Sequence, residues 1–142
     1  MMKSDQIRIN HAMATERETA VNRTTLDPAW QRFAAHVRAR NAEVVRQTEA
    51  EAARSRAAAE AIATMLRERF GATRVILFGS LARGRFRLDS DIDLAVAGLA
   101  KGDLFRAMAD ALEFTNRWVD IKPLEEVDPH FRLRILETGI DL

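Results

Sequence analysis

Two rhythms of apolar residues run along this chain, and the change between them divides it. Between Ala29 and Phe70 there is neither glycine nor proline, and Ala, Arg and Glu dominate, all good helix formers. Apolar or small residues recur there every three or four positions: Trp30, Phe33, Val37, Val44, Thr48, Ala52, Ser55, Ala59, Ile62, Leu66 and Phe70. That spacing predicts a single helix with one apolar face. Asp27-Pro28 supplies an N-cap carboxylate and a proline at the first helical position, and Gly71 supplies the stop. A helix of about 43 residues spans ~65 Å at 1.5 Å per residue, far longer than most globular helices. Its apolar stripe is strong at both ends and weak in the Ala-rich middle. Ile62 to Phe70 is well placed to pack on a sheet. Trp30 to Val45 reaches past a small domain, either bending back onto it or docking a partner or a second copy.

After Gly71 the apolar runs become short. Thr73 to Phe78 reads as a strand, Ser80 to Arg83 as a helical turn and Gly84 to Ser90 as a loop. Asp91 to Ala97 reads as a second strand. Asp103 to Phe114 follows as a helix with Leu104, Phe105, Met108, Ala111 and Leu112 inward, and Trp118 to Ile121 as a third strand. Asp128-Pro129 repeats the helix-start signal, and Leu133 and Leu136 are suited to packing under the sheet. The expected architecture is a small α/β (α+β) domain: a short mixed sheet with helices on one face, preceded by the long helix. The expected divisions are a poorly ordered arm over 1–27, the long helix over 28–70 and the α/β domain over 71–142. His11, His36 and His130 have no second metal ligand at useful spacing, and Trp30 and Trp118 read as packing residues.

Composition narrows the function. The chain has 142 residues and a net charge of +1, which fits one ordinary core and argues against a nucleic-acid binder working through a broad basic surface. It has no cysteine, hence no disulfide framework and no thiolate chemistry; this is compatible with the cytoplasm, the expected location. No apolar run approaches membrane-spanning length. There is no tyrosine.

Chemistry concentrates between Gly79 and Asp93. The apolar run Val75-Ile76-Leu77-Phe78 stops at Gly79-Ser80, and Asp91-Ile92-Asp93 follows ten residues later. Gly79 leaves room where the backbone must turn and approach a ligand closely. Ser80 offers a hydroxyl and an N–H at the start of a helical turn, a suitable place for a phosphate. Asp91 and Asp93, two apart in a strand, project to one face, with Ile92 and Leu94 directed to the core. Two adjacent carboxylates repel each other unless a cation sits between them, and Mg²⁺ takes such oxygen ligands together with substrate phosphates.

At these residues the chain resembles a known family. Gly79-Ser80, ten residues, then Asp91-x-Asp93 is the signature of the DNA polymerase β-like nucleotidyltransferase superfamily. The fuller pattern GSLARG…SDIDLAV resembles its smallest members, the minimal nucleotidyltransferases, many of which are antitoxins paired with a HEPN-domain toxin. The resemblance covers roughly residues 60 to 142. It implies Mg²⁺-dependent transfer of AMP from ATP, through two metal ions (Mn²⁺ being the alternative), to a tyrosine hydroxyl of a cognate HEPN toxin. It also implies a third carboxylate on a neighbouring strand. Asp120 is the acidic residue inside a predicted strand after Asp93, and by resemblance it would ligate the nucleophile-side metal and help take the hydroxyl proton.

Asp91, Asp93 and Asp120 are therefore the candidate metal ligands and catalytic residues. Gly79, Ser80, Arg83 and Lys122 are the candidate nucleotide-binding residues. Arg83 matches the family's GSxARG and could contact a phosphate or lock the loop by pairing with a carboxylate. Lys122 shares a face with Asp120 and could balance the carboxylates or meet a triphosphate. Arg85 and Arg87 read as solvated, Asp89 as outside the metal shell, and Ser90 as shaping the turn. Two further readings stand beside the first: a small-molecule adenylyltransferase of the antibiotic-modifying type, and a catalytically silent module that masks a toxin. The expected partners are the toxin or, through the long helix, a second copy, with no membrane and no direct nucleic-acid binding.

Overall fold

The computed structural model describes residues 27–142. The expected N-terminal arm, 1–27, lies outside the described residues except for Asp27, and so does His11. Helix α1 runs unbroken from Pro28 to Phe70. Asp27 Oδ1 accepts from the Ala29 N–H at 2.8 Å, satisfying one of the donors that a helix start leaves open. At the other end Gly71 turns the chain with φ +70. The N–H groups of Gly71 and Ala72 return to the carbonyls of Arg67 and Leu66. Burial on α1 begins at Ala52 and continues through Ser55, Ala58, Ala59, Ile62, Ala63, Met65 and Leu66. Ala52, Ser55, Ala59, Ile62 and Leu66 belong to the C-terminal half of the predicted stripe, and Ala58, Ala63 and Met65 widen it. In the N-terminal half Trp30, Phe33, Val37 and Val44 are exposed, and Trp30 and Phe33 lie against each other with ring centroids 5.7 Å apart.

The sheet is built from β1 (Arg74–Phe78), β2 (Ile92–Ala97), β3 (Val119–Pro123) and the short β4 (Ile140–Asp141), in the order β3-β2-β1-β4. β1 pairs antiparallel with β2 and with β4, and β2 pairs parallel with β3. Strand β4 is too short to read from its sequence. It is held at the edge by the Arg74 guanidinium, which donates to both Asp141 oxygens at 2.7 and 3.0 Å.

Helices cover both faces of the sheet rather than one. α1 and α3 (Leu104–Ala111) cover Val75, Leu77, Ile92, Leu94, Val96, Val119 and Ile121. α4 (Pro129–Thr138) covers Ile76, Phe78 and Ala95 on the other face. The reason lies in β1, whose last four residues are all buried. Successive side chains point to opposite faces, so an unbroken apolar strand needs cover on both. Asp128 caps α4, accepting from the N–H groups of His130 and Phe131 at 3.0 and 3.3 Å, with Pro129 at the first position. The face of α4 that packs is Phe131 and Ile135, not Leu133 and Leu136, which are 57% and 39% exposed.

α3 also turns differently from expectation. A 3-10 turn over Lys101–Asp103 precedes it, and the alanines Ala107 and Ala111 are the buried residues. Leu104 and Met108 are partly covered, while Phe105 and Leu112 face outward. Small side chains let α3 approach β3 closely, leaving the larger ones at the margin beside the exposed Trp118. No helix among the described residues is long and apolar enough to cross a membrane.

This packing sets an asymmetry that denaturation can read. Leu66, fully buried on α1, is expected to lose about 2–5 kcal/mol of stability on change to alanine. Leu133→Ala is expected to stay within about 0.5 kcal/mol of wild type. Urea titration of both variants checks this; equal losses would mean that α4 packs through its other face.

Candidate active site

β1 ends at Phe78, opposite Asp93 of β2, and Asp93 stands in register with Asp120 of β3. The residues flanking each carboxylate, Ile92 and Leu94 on β2 and Val119 and Ile121 on β3, point to the α1 side and are buried. Strand alternation therefore sends Asp93 and Asp120 to the other face, next to each other across neighbouring strands. Asp91 precedes the first residue of β2 and is exposed.

Gly79 begins the short helix α2 (Gly79–Ala82) with φ +74, a conformation that L side chains rarely adopt. Space is a second reason for glycine there. A Cβ at this position would lie 2.2 Å from Asp93 Oδ2, so the turn presses its bare backbone against the carboxylate. Ser80 follows, partly exposed, and its carbonyl accepts from the Arg85 N–H at 2.8 Å. Lys122 donates to Asp120 Oδ2 at 2.9 Å. Of its two expected roles, the one the structure displays is balancing the carboxylate.

The Asp93 carboxyl is pushed above the ordinary carboxylate range. Burial is the largest cause, followed by the charges of Asp120 and Asp91, with Lys122 acting in the opposite sense. The three carboxylates are thus near enough to feel one another. Among the described residues, however, no three acidic or imidazole groups are gathered into a ready metal cage. The donor set itself fits a hard divalent ion such as Mg²⁺ or Mn²⁺: carboxylate oxygens, one of them half-buried and electrostatically in need of a cation.

Arg83 is exposed and has no carboxylate partner among the described residues, so it does not lock its loop by an ion pair. Ser90 shapes the turn as expected, its Oγ accepting from the Arg87 N–H at 2.8 Å. Arg87 faces Asp89 at 3.6 Å with both side chains in solvent. Trp118 is 60% exposed at the sheet edge and does not join the core.

Arg117 is the residue that the sequence reading passed over. Its guanidinium donates to the carbonyls of Leu88 and Ser90 at 2.8 and 2.9 Å and to Glu51 of α1 at 3.2 Å. It also lies over the Phe86 ring, 4.7 Å from the centroid. One side chain thereby ties α1 and the chain before β3 to the loop that delivers Asp91. No motif marks it. The available signal was a loop of seven residues with a single apolar anchor, Phe86, that needed something to hold it.

Residues 60–142 match the family model described as Polymerase beta, Nucleotidyltransferase. Among solved structures, one described as a provisionally assigned minimal nucleotidyltransferase is 36% identical, with a TM-score of 0.54, covering 61% of this chain and 91% of that one. A toxin–antitoxin structure with AMP-PNP is 22% identical, with a TM-score of 0.53, over 58% of this chain and 70% of that one. A mutant of the toxin–antitoxin MntA–HpeT is 18% identical, with a TM-score of 0.51, over the same shares; these two likenesses are of fold. No curated protein matches the chain.

The raised Asp93 carboxyl has a stability consequence with a definite sign. Folded Asp93 holds its proton more tightly than unfolded Asp93, so its contribution to stability falls as pH rises from the ordinary carboxylate value through the raised one. At neutral pH without divalent ions, Asp93→Asn is therefore expected to melt above wild type, and the gap is expected to close below about pH 4. Calorimetry across pH checks this; a variant less stable than wild type at pH 7 would refute it. Gly79→Ala is expected to cost about 1–3 kcal/mol from backbone strain alone and to displace the Asp93 carboxylate as well. A variant with wild-type melting would show that the turn does not press on Asp93.

Proposed function

Because the chain belongs to the polymerase β nucleotidyltransferase family, we propose that it transfers AMP from ATP to a hydroxyl on a HEPN-type toxin and so acts as that toxin's antitoxin. The single observation that carries the reading is the Asp93 carboxylate, packed into the space left by Gly79 and flanked by Asp120. A phosphate-accepting turn and a carboxylate pair meet there in one place.

Asp91 and Asp93 would hold a divalent ion, with Asp120 serving a second, and such ions stabilise the attacking and leaving oxygens of an in-line displacement. Asp120 would accept the proton of the acceptor hydroxyl, and Lys122 pairs with it in the resting protein. The bare Gly79 backbone and the Ser80 hydroxyl would bind the phosphates. The chain has no tyrosine, so transfer to tyrosine acts in trans on a partner. The toxin reading takes its lead from solved toxin–antitoxin proteins of this fold, one of them with AMP-PNP. The exposed aromatic pair Trp30 and Phe33 on α1 gives that partner an anchor of the kind that dominates interfaces.

Incubation with labelled ATP, Mg²⁺ and the candidate toxin, followed by mass spectrometry, tests the reading. The expected product is the toxin carrying one AMP on tyrosine, with pyrophosphate released. Asp93→Asn and Asp120→Asn are expected to lower the rate by roughly 100-fold or more, given that even supporting residues of metal sites are worth 10–100-fold. Ser80→Ala is expected to lose less, about the worth of one hydrogen bond. Label on a small-molecule hydroxyl would favour the antibiotic-type reading, and tight toxin binding without label would favour a silent module.

The anchor is tested separately. Trp30→Ala with Phe33→Ala is expected to weaken toxin association by about 30-fold or more while leaving the melting temperature unchanged, since both side chains are exposed. Unchanged affinity in a titration of the two proteins would remove α1 from the interface.

A further inference from the structure

Beside Gly79 a cleft of about 140 Å³, whose lining includes none of Asp91, Asp93 and Asp120, opens between α2 and α4. Its walls include Gly79, Phe78, Phe131, Thr138 and two arginines, Arg83 and Arg134. Both arginines are exposed. Among the described residues, Arg83 and Arg134 have no carboxylate partner. Arg56, Arg85 and Arg132 share that, and what sets Arg83 and Arg134 apart is that both line the one cleft beside Gly79.

The fold holds this pair in place from both sides. Arg83 ends the α2 turn, its N–H donating to the Gly79 carbonyl at 3.2 Å. Arg134 lies three residues after Phe131, on the same side of α4. Phe131 packs edge-on against Phe78 with centroids 5.6 Å apart, and Ile135 is buried beneath. The helix that carries Arg134 is therefore seated on the last residue before the glycine turn.

Gly79 thus borders two opposite charges. Asp93 and Asp120 form one set, and two guanidinium groups without carboxylate partners form the other. A ligand that spans the turn must be anionic along its length and accept a cation at one end. A polyphosphate has that character, and guanidinium groups bind phosphate oxygens through paired, charge-assisted hydrogen bonds. We infer that Arg134, together with Arg83, is the seat of the terminal phosphates of a nucleoside triphosphate. This rests on the nucleotidyl-transfer reading above and adds the group that selects triphosphate over monophosphate.

Titration calorimetry on the full chain with Mg²⁺ tests it, using ATP, AMP and inorganic tripolyphosphate as probes. Arg134→Ala is expected to weaken ATP and tripolyphosphate by about tenfold or more, the worth of a charged hydrogen bond, and to leave AMP binding unchanged. Arg134→Lys is expected to recover part of the loss. Because Arg134 is exposed, the alanine variant should melt with wild type, which separates lost binding from lost folding. Wild-type ATP affinity in Arg134→Ala, or an equal loss for AMP, overturns the inference while the transfer reading stands. Tripolyphosphate binding that depends on Arg134, with no acceptor ever labelled, leaves the cleft assigned and removes the transfer reading. A wild-type chain that binds neither ATP nor tripolyphosphate removes both.

Discussion

Like-charge repulsion between Asp93 and Asp120 is the constraint around which the α/β part is arranged. The two carboxylates sit in register on neighbouring strands, and burial raises the cost of ionising Asp93 further. Nothing about such a pair is favourable in the resting protein. It is held because each aspartate alternates with buried apolar neighbours: Ile92 and Leu94 on β2, Val119 and Ile121 on β3. Slipping either strand by one residue would relieve the repulsion, but it would turn those side chains out of the core. The apolar face of the sheet thus enforces the charged one, and Lys122 removes part of the remaining strain by pairing with Asp120.

Long-range ties hold the rest of the site to this sheet. The loop between α2 and β2 has few apolar contacts of its own, with Phe86 as its buried anchor. Arg117 covers that ring and accepts responsibility for two loop carbonyls, Leu88 and Ser90. Its remaining tie is to Glu51, whose own carboxyl is held below the usual range by Arg54 and by Arg117. The position of Asp91 therefore depends on a helix remote in sequence. α1 is consequently more than a cover for the sheet: its buried half supplies core side chains and its Glu51 steadies the loop that leads to Asp91.

Much of the fold was legible because its signals are local. The Asp27-Pro28 and Asp128-Pro129 starts, the long glycine-free run and the Gly79-Ser80 and Asp91-x-Asp93 spacing each state their structure within a few residues. What was not legible depends on contacts distant in sequence. Leu133 and Leu136 offered as good an apolar spacing as Phe131 and Ile135, and only the docking of Phe131 on Phe78 decides between them. On α3 the expected inward residues Ala111, Leu104 and Met108 do face the core, but Phe105 and Leu112 turn outward and Ala107 takes the buried place instead. Arg117 and Arg134 carry no motif at all. Their roles arise from what stands opposite them: two carbonyls and a glutamate in one case, an empty stretch of backbone at Gly79 in the other.

The distribution of charge explains why such a site has no use for a broad basic surface. With a net charge of +1, the protein cannot draw polyanions by its overall field. Instead it places acidic and basic groups beside a turn that has no side chain. Neither half is fully paired: Lys122 meets Asp120 but not Asp93, and the two arginines have no carboxylate partner among the described residues. On the proposed reading, the carboxylates would hold a cation and the arginines the phosphate oxygens of the same ligand. Cation and phosphate would then complete each other's shells, and neither half would offer much to a ligand that supplies only one sign. Selectivity of this kind comes from geometry around Gly79, which is why a residue with no functional group is the one position in the site that no other amino acid can fill without moving Asp93.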